Sequence, residues 1–132
     1  MDKVMGLDIG TKRIGIALSD FLHITANPYS FVPRQPEEDA VAQIKKIAAE
    51  NSVVTIVVGI PVNMDGSYGF QAEDCKKFAG KFTGFDIVFE DERLTSEQAE
   101  ENLRQRKIDF RKNKSLVDIE SACIILEQYL RK

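Results

Sequence analysis

The chain is poor in the residues that carry nucleophilic and zinc chemistry. His23 is its only histidine, and its two cysteines, Cys75 and Cys123, are far apart with no CxxC spacing. A zinc site and Ser/His/Asp or Cys/His catalysis are therefore not expected. Both cysteines fall on apolar helix faces and read as reduced core thiols, which fits a reducing compartment. Long hydrophobic runs are also missing. The apolar stretch Val53-Val54-Thr55-Ile56-Val57-Val58 is far too short to span a bilayer, so no membrane attachment is expected. The first residues include Asp2 and Lys3 and pass into a strand-like run rather than a secretory leader, so a cytoplasmic protein is expected. No repeat, low-complexity tract or linker interrupts the 132 residues, which read as one domain, 1–132. With 43% hydrophobic and 30% charged residues, a chain of this size can bury a core without staples.

A strong excess of one charge is absent as well. The net charge of −3 argues against indiscriminate nucleic-acid binding, but the distribution is uneven. From Glu90 to Glu101 there are six acids and one arginine, Arg93. From Arg104 to Lys114 there are six basic residues (Arg104, Arg106, Lys107, Arg111, Lys112 and Lys114) and one acid, Asp109. A basic strip after an acidic cluster suits a protein that grips phosphates beside a metal site; the competing reading is a solvated loop.

The pattern of elements predicts a mixed α/β sheet with helices packed on it. Val4 to Ile9 reads as a buried strand, Gly10-Thr11-Lys12 as a turn, and Ile14 to Leu18 as a second strand with small residues, Gly15 and Ala17, at alternate positions. A short third strand is expected near Tyr29 to Val32, between Pro28 and Pro33. Pro36 opens a helix whose stripe is Val41, Ile44, Ile47 and Ala48. Val53 to Val58 is a β-branched strand, and 59–66 reads as a loop. Tyr68, Cys75, Phe78, Ala79 and Phe82 recur at helical spacing, and Asp86 to Phe89 reads as a strand running into Glu90-Asp91-Glu92. Thr95 with Gln98 forms a capping box that starts a helix to about Arg106, and Ser115 caps a last helix to about Leu130.

Three carboxylate positions are out of keeping with their surroundings. Asp8 lies in an otherwise apolar strand, where an unpaired buried carboxylate costs several kcal/mol, so it either binds a metal or caps the Gly10-Thr11 turn. Glu90, Asp91 and Glu92 repel one another at a strand end. A divalent cation or Arg93 would relieve that repulsion. Strand alternation places Glu90 and Glu92 on one face and Asp91 on the other, and the pattern does not choose between Asp91 and Glu92. Asp118 falls between Ile125 and Tyr129 on the apolar arc of the last helix, although Ser115-Leu116-Val117-Asp118 also fits a capping box. Oxygen-only donors favour Mg²⁺ or Mn²⁺, as one ion or two, and a pair of such ions hydrolyses phosphodiesters without histidine. The turn from Asp8 to Gly15 is neither a P-loop nor a dinucleotide fingerprint, but its glycines allow close approach to phosphate, and Lys12 and Arg13 add charge.

Four segments, taken in order, resemble the YqgF family of pre-16S rRNA nucleases, also described as Holliday-junction-resolvase-like. They are Asp8-Ile9-Gly10-Thr11-Lys12-Arg13-Ile14-Gly15-Ile16-Ala17, Gly59-Ile60-Pro61-Val62-Asn63-Met64-Asp65-Gly66, Asp91-Glu92-Arg93-Leu94-Thr95, and Lys114-Ser115-Leu116-Val117-Asp118 leading into Ser121-Ala122. The resemblance covers essentially the whole chain. It implies an α/β fold of the ribonuclease-H-like kind, with a mixed five-stranded sheet flanked by helices. It also implies catalytic acids at Asp8, Glu92 and Asp118, with Asp91 as a further metal ligand. Ile119-Glu120 departs from the smaller residues usual in the family.

The expected activity is metal-dependent cleavage of structured RNA, including the 5′ end of pre-16S rRNA. Branched-DNA resolution and a non-catalytic nucleic-acid-binding assembly factor are the alternatives. Residues expected to meet nucleic acid are Lys12, Arg13, Asn63, Arg93, Arg106, Lys107, Arg111, Lys112 and Lys114. A monomer or weak homodimer is expected. Asp-Ile-Gly-Thr also resembles the first phosphate motif of sugar kinases and actin-like ATPases, which need two such domains where this chain has room for one.

Overall fold

In the computed structural model, which describes residues 1–92 and 95–132, the sheet has five strands in the order β3-β2-β1-β4-β5. They are β1 (Lys3–Ile9), β2 (Arg13–Ser19), β3 (Ala26–Pro33), β4 (Val53–Pro61) and β5 (Asp86–Glu92). β1, β2 and β3 form an antiparallel meander, while β4 and β5 run parallel to β1. The carboxyl ends of β1, β4 and β5 therefore share one edge. The helices are α1 (Glu37–Glu50), α2 (Phe70–Ala79), α3 (Thr95–Gln105) and α4 (Ser115–Leu130).

Strand alternation divides the apolar residues between two faces. Met5, Leu7, Ile14, Ile16, Ile56, Val58 and Ile60 pack with Ala40, Ile44, Ala72, Cys75 and Phe78 of α1 and α2. On the other face, Val4, Ala17 and Val57 meet Ala122, Ile125 and Leu126 of α4, and α3 rests against α4. That second face is built from small residues because α4 lies almost on the backbone. A Cβ at Gly6 would stand 2.8 Å from Leu126 Cβ and 2.9 Å from the Ala122 oxygen. A Cβ at Gly15 would collide with the Asp118 carbonyl. The small residues alternating along β2 thus admit a helix, rather than marking a weak strand.

The mixed five-stranded sheet agrees with expectation, and the differences are local. β4 continues through Gly59-Ile60-Pro61, where a loop was expected, because β5 offers a parallel partner as far as Glu92. β3 is eight residues long and accommodates Pro28 and Pro33 because it is an edge strand. Pro36 is an extended N-cap rather than a residue of α1's first turn. α2 stops at Ala79, yet Phe82 still enters the core, edge-to-face with Phe78 at 5.6 Å.

Neither predicted capping box forms. Thr95 is already helical, and Gln98 turns forward to Asn102 Oδ1 at 2.8 Å. α4 is capped by Lys114 without a side-chain bond, and Ser115 donates to Asn113 Oδ1. Asp118 is therefore released from capping. Both thiols are buried, and burial pushes each up to about 12, as expected of inert core cysteines. Among the described residues, no helix is long and apolar enough to cross a membrane.

Candidate active site

The shared carboxyl edge of β1, β4 and β5 opens into a cavity of about 400 Å³. Asp8 from β1, Glu92 from β5 and Asp118 from the first turn of α4 all line it. The sheet places the first two. Asp8 pairs with Gly15 across the hairpin, and the parallel register sets Glu92 beside Pro61. Gly59, whose missing Cβ would lie 3.0 Å from a Glu92 oxygen, leaves the room between them. Asp118 arrives because Gly15 lets α4 touch β2. Three segments distant in sequence thus converge through two close backbone approaches.

The electrostatics follow from that crowding. Burial, then the charges of Glu92 and Asp118, hold the Asp8 carboxyl well above the ordinary aspartate range. Burial pushes Glu92 up to about 7. The Thr95 hydroxyl pulls Glu92 slightly the other way, although the pair falls short of hydrogen-bond geometry and that hydroxyl is buried without a partner. Asp118 is already engaged: Arg13 Nε donates to its Oδ2 at 2.6 Å. Accordingly, among the described residues, no three acidic, histidine or cysteine side chains are gathered to hold an ion as they stand. The three acids share a cavity but are not drawn to a point.

The acidic run of β5 divides three ways. Glu92 faces the cavity. Glu90, on the same face but at the far end of α4, is buried and accepts from Lys132 Nζ at 2.9 Å. Asp91 is exposed, accepts the Tyr68 hydroxyl at 2.8 Å and does not line the cavity. The structure does not bring Asp91, expected as a further ligand, to the other three acids, since alternation turns it to the other face of the sheet.

Of the residues expected to meet nucleic acid, Arg13 stands at the cavity through Asp118. Lys12 is exposed on the β1–β2 turn, and Asn63 lies in a small turn, donating to Ser67 Oγ at 3.1 Å. Arg93 lies outside the described residues. The basic strip is partly neutralised by its own surroundings. Arg106 meets Glu120 at 2.5 Å, Arg111 meets Asp109 at 3.1 Å, and Arg104 meets Glu100 and Glu101. Lys107, Lys112 and Lys114 are exposed and take part in no ion pair found among the described residues.

Several contributors carried no sequence signal. Gln71 and Asp74 of α2 and Ser96 and Glu97 of α3 also line the cavity. Arg34, only 4% exposed, donates to the Gly10 carbonyl at 2.9 Å and to Asp74 at 3.0 Å, tying the turn after Asp8 to α2. Only its tertiary partners distinguish Arg34 from a surface arginine.

The whole chain has relatives. Proteins named "Putative pre-16S rRNA nuclease" from Carboxydothermus hydrogenoformans and Clostridioides difficile are 44% and 38% identical to it over 131 residues. Each alignment takes in 97% of this chain, with 95% and 93% of the respective relative. Among solved structures, the Fowlpox virus resolvase bound to Holliday junction DNA superposes with a TM-score of 0.59 at 14% identity, covering 98% of this chain and 97% of that one. Thermus thermophilus RuvC with a Holliday junction substrate gives 0.57 at 16%, covering 99% and 96%. These structural likenesses are of fold, and the fold is ribonuclease-H-like. A family model described as RuvX, Holliday junction resolvase, matches residues 2–132. With that match and relatives at 38–44% identity, the chain belongs to the RuvX family, also called YqgF.

Proposed function

We propose that this RuvX-family nuclease hydrolyses phosphodiester bonds at the cavity of Asp8, Glu92 and Asp118, with Mg²⁺ or Mn²⁺ bound there. The observation that carries the reading is Asp8, a half-buried, desolvated carboxylate under the charge of two further acids, with no cation among the described residues offsetting it. An all-oxygen donor set under mutual repulsion fits a hard divalent ion, and the lack of histidine in the cavity does not fit zinc. Asp8 and Glu92 would hold the ion. Asp118 would join through the oxygen that Arg13 leaves free, or through both once Arg13 turns to a phosphate. When bound, the ion supplies an activated water and stabilises the leaving oxygen.

The chain's own residues then do the rest. Gly10 and Thr11 offer backbone at the cavity rim, Arg13 brings a positive charge beside Asp118, and Arg34 keeps the turn after Asp8 in place. The substrate we favour is structured RNA, the 5′ end of pre-16S rRNA, handled in the cytoplasm by a monomer or weak homodimer in which residues 1–132 form the one catalytic domain. The choice of pre-16S rRNA follows the names carried by the relatives.

The test is calorimetric titration of Mn²⁺ into wild type, Asp8→Asn and Glu92→Gln, alongside cleavage of a precursor rRNA fragment. Binding and cleavage that depend on both acids support the proposal; cleavage that survives EDTA or either substitution removes it. Junction resolution is the second reading, favoured by the family description and by the resolvase fold. It needs paired symmetric cuts by a dimer, so a species that stays monomeric on a four-way junction argues against it.

A further inference from the structure

The cavity does not end at Asp118. A second hollow of about 390 Å³ adjoins it, sharing Ser96 and Asp118 and continuing past Arg13 to Phe110, Arg111 and Lys114. Its volume is within the range of about 300–1,000 Å³ found for small-ligand pockets. Phe110 is half-buried and lines both this hollow and a third one, between α3 and the α3–α4 loop, with Glu100 and Arg111 also common to the two. The Arg104 guanidinium lies 5.5 Å from the ring centroid and lines only the third hollow. The ring therefore has a cation over it and also lines the hollow that leads to Asp118.

An aromatic face beside Arg111, Lys114 and Arg13, opening from an acidic hydrolytic cavity, suits an unpaired base and its phosphates. Stacking on an aromatic side chain tolerates any base, and the cations track the backbone. A paired duplex cannot use such a face, because its bases are already stacked. We infer that Phe110 is the platform of a subsite for an unpaired nucleotide next to the scissile phosphate, with Arg111 and Lys114 holding the adjoining backbone. This rests on the nuclease reading and deepens it: the substrate is a strand that leaves a helix at the cut, not an uninterrupted duplex. The charges of this strip stand out along the chain, whereas its one aromatic residue gains meaning only from the two hollows that it lines.

The test uses full-length Asp8→Asn protein, so that substrate stays intact, and forks made in RNA and in DNA with 2-aminopurine in the unpaired arm. A blunt duplex serves as control. The fork should bind with quenched fluorescence. Phe110→Ala should weaken fork binding by roughly 5- to 150-fold, the range of one stacked base, and should abolish quenching without changing the salt slope. Phe110→Tyr should retain binding and Phe110→Leu should not, which separates stacking from packing. Lys114→Gln should keep the quench and lower the salt slope by about 0.7. The relative strength of the RNA and DNA forks identifies the natural strand. A Phe110→Ala protein that binds the fork like its parent, or loses fork and blunt duplex alike, overturns the subsite. If binding and metal-dependent cutting persist in that case, the nuclease reading survives without it. If neither the wild type nor any variant binds or cuts, both readings fail.

Discussion

The acids at the end of β5 and the bases from Arg104 to Lys114 look alike as sequence, each a dense run of one sign, yet Glu92, which meets Asp8, ends in a condition opposite to that of the bases. Asp8 and Glu92 are half-buried together at strand ends and largely desolvated, where the backbone cannot move apart and no basic side chain among the described residues offsets the pair. The basic residues lie on the exposed end of α3 and the connection after it, where Arg104, Arg106 and Arg111 find carboxylates within a few ångströms. Burial decides the difference. In a low dielectric, like charges keep most of their repulsion, whereas in water they are screened and free to re-pair. Charge density along a chain therefore marks a reactive site only where the fold denies the charges an escape.

The largest break in this comparison comes from removing one of the trapped charges. Asp8→Asn should lower cleavage by more than about 100-fold, beyond the usual loss of an outer partner, while the melting temperature without metal holds or rises. A variant that still cuts at the wild-type rate removes Asp8 from the site.

The next effect comes from moving the helix that closes the cluster. Gly15→Ala drives a methyl group into the Asp118 carbonyl, where backbone cannot yield cheaply. A loss of about 3 kcal/mol, visible as a melting temperature lower by roughly 10 °C, is expected. Unchanged melting would mean that α4 can retreat from β2.

Trapped charge also gives stability a pH dependence of definite sign. The folded chain keeps a proton on Glu92 up to about 7, whereas an unfolded glutamate loses it near 4.5. Unfolding therefore releases protons between those values, and stability of the metal-free protein falls as the pH rises through the window. Asp8 adds to the fall in the same direction. Glu92→Gln should flatten the curve, and saturating Mg²⁺ should raise the neutral-pH end. A metal-free protein that gains stability from pH 4.5 to 7 contradicts the crowding.

The exposed side should respond least. Arg111→Gln breaks a solvent-exposed pair with Asp109 and should change stability by under about 0.5 kcal/mol. Replacing Lys107 and Lys112 by glutamine should leave melting unaltered and weaken binding across sequences, with a shallower salt dependence. An unaltered salt slope would leave those lysines as ordinary solvated surface.

Much of this was legible before folding. Short apolar and β-branched runs bounded by turn residues marked the five strands along the chain, and helical spacing together with start signals marked the four helices. Asp8 and Asp118 stood out because each interrupts an apolar pattern, whereas Glu92 was one of a repelling cluster in which only the family resemblance favoured it over Asp91. Other features were hidden because they exist only between segments. Asp118 fits a capping box as well as a cavity, and Gly15 decided between them by admitting α4 until Asp118 met Arg13. Arg34 is one arginine among many until Gly10 and Asp74 close around it. Phe110 carries no local pattern at all.

By itself, the sequence determined which residues are apolar, at what period, and where carboxylates disturb that order; those are properties of neighbours along the chain. Which carboxylates meet, which partners Glu90 and Asp91 find, and which cations are spent on local pairs were decided by tertiary structure. The physical reason is that desolvation and Coulomb energy depend on distances through space, and those distances were set by the register of β1 against β4 and by the glycine-lined approach of α4.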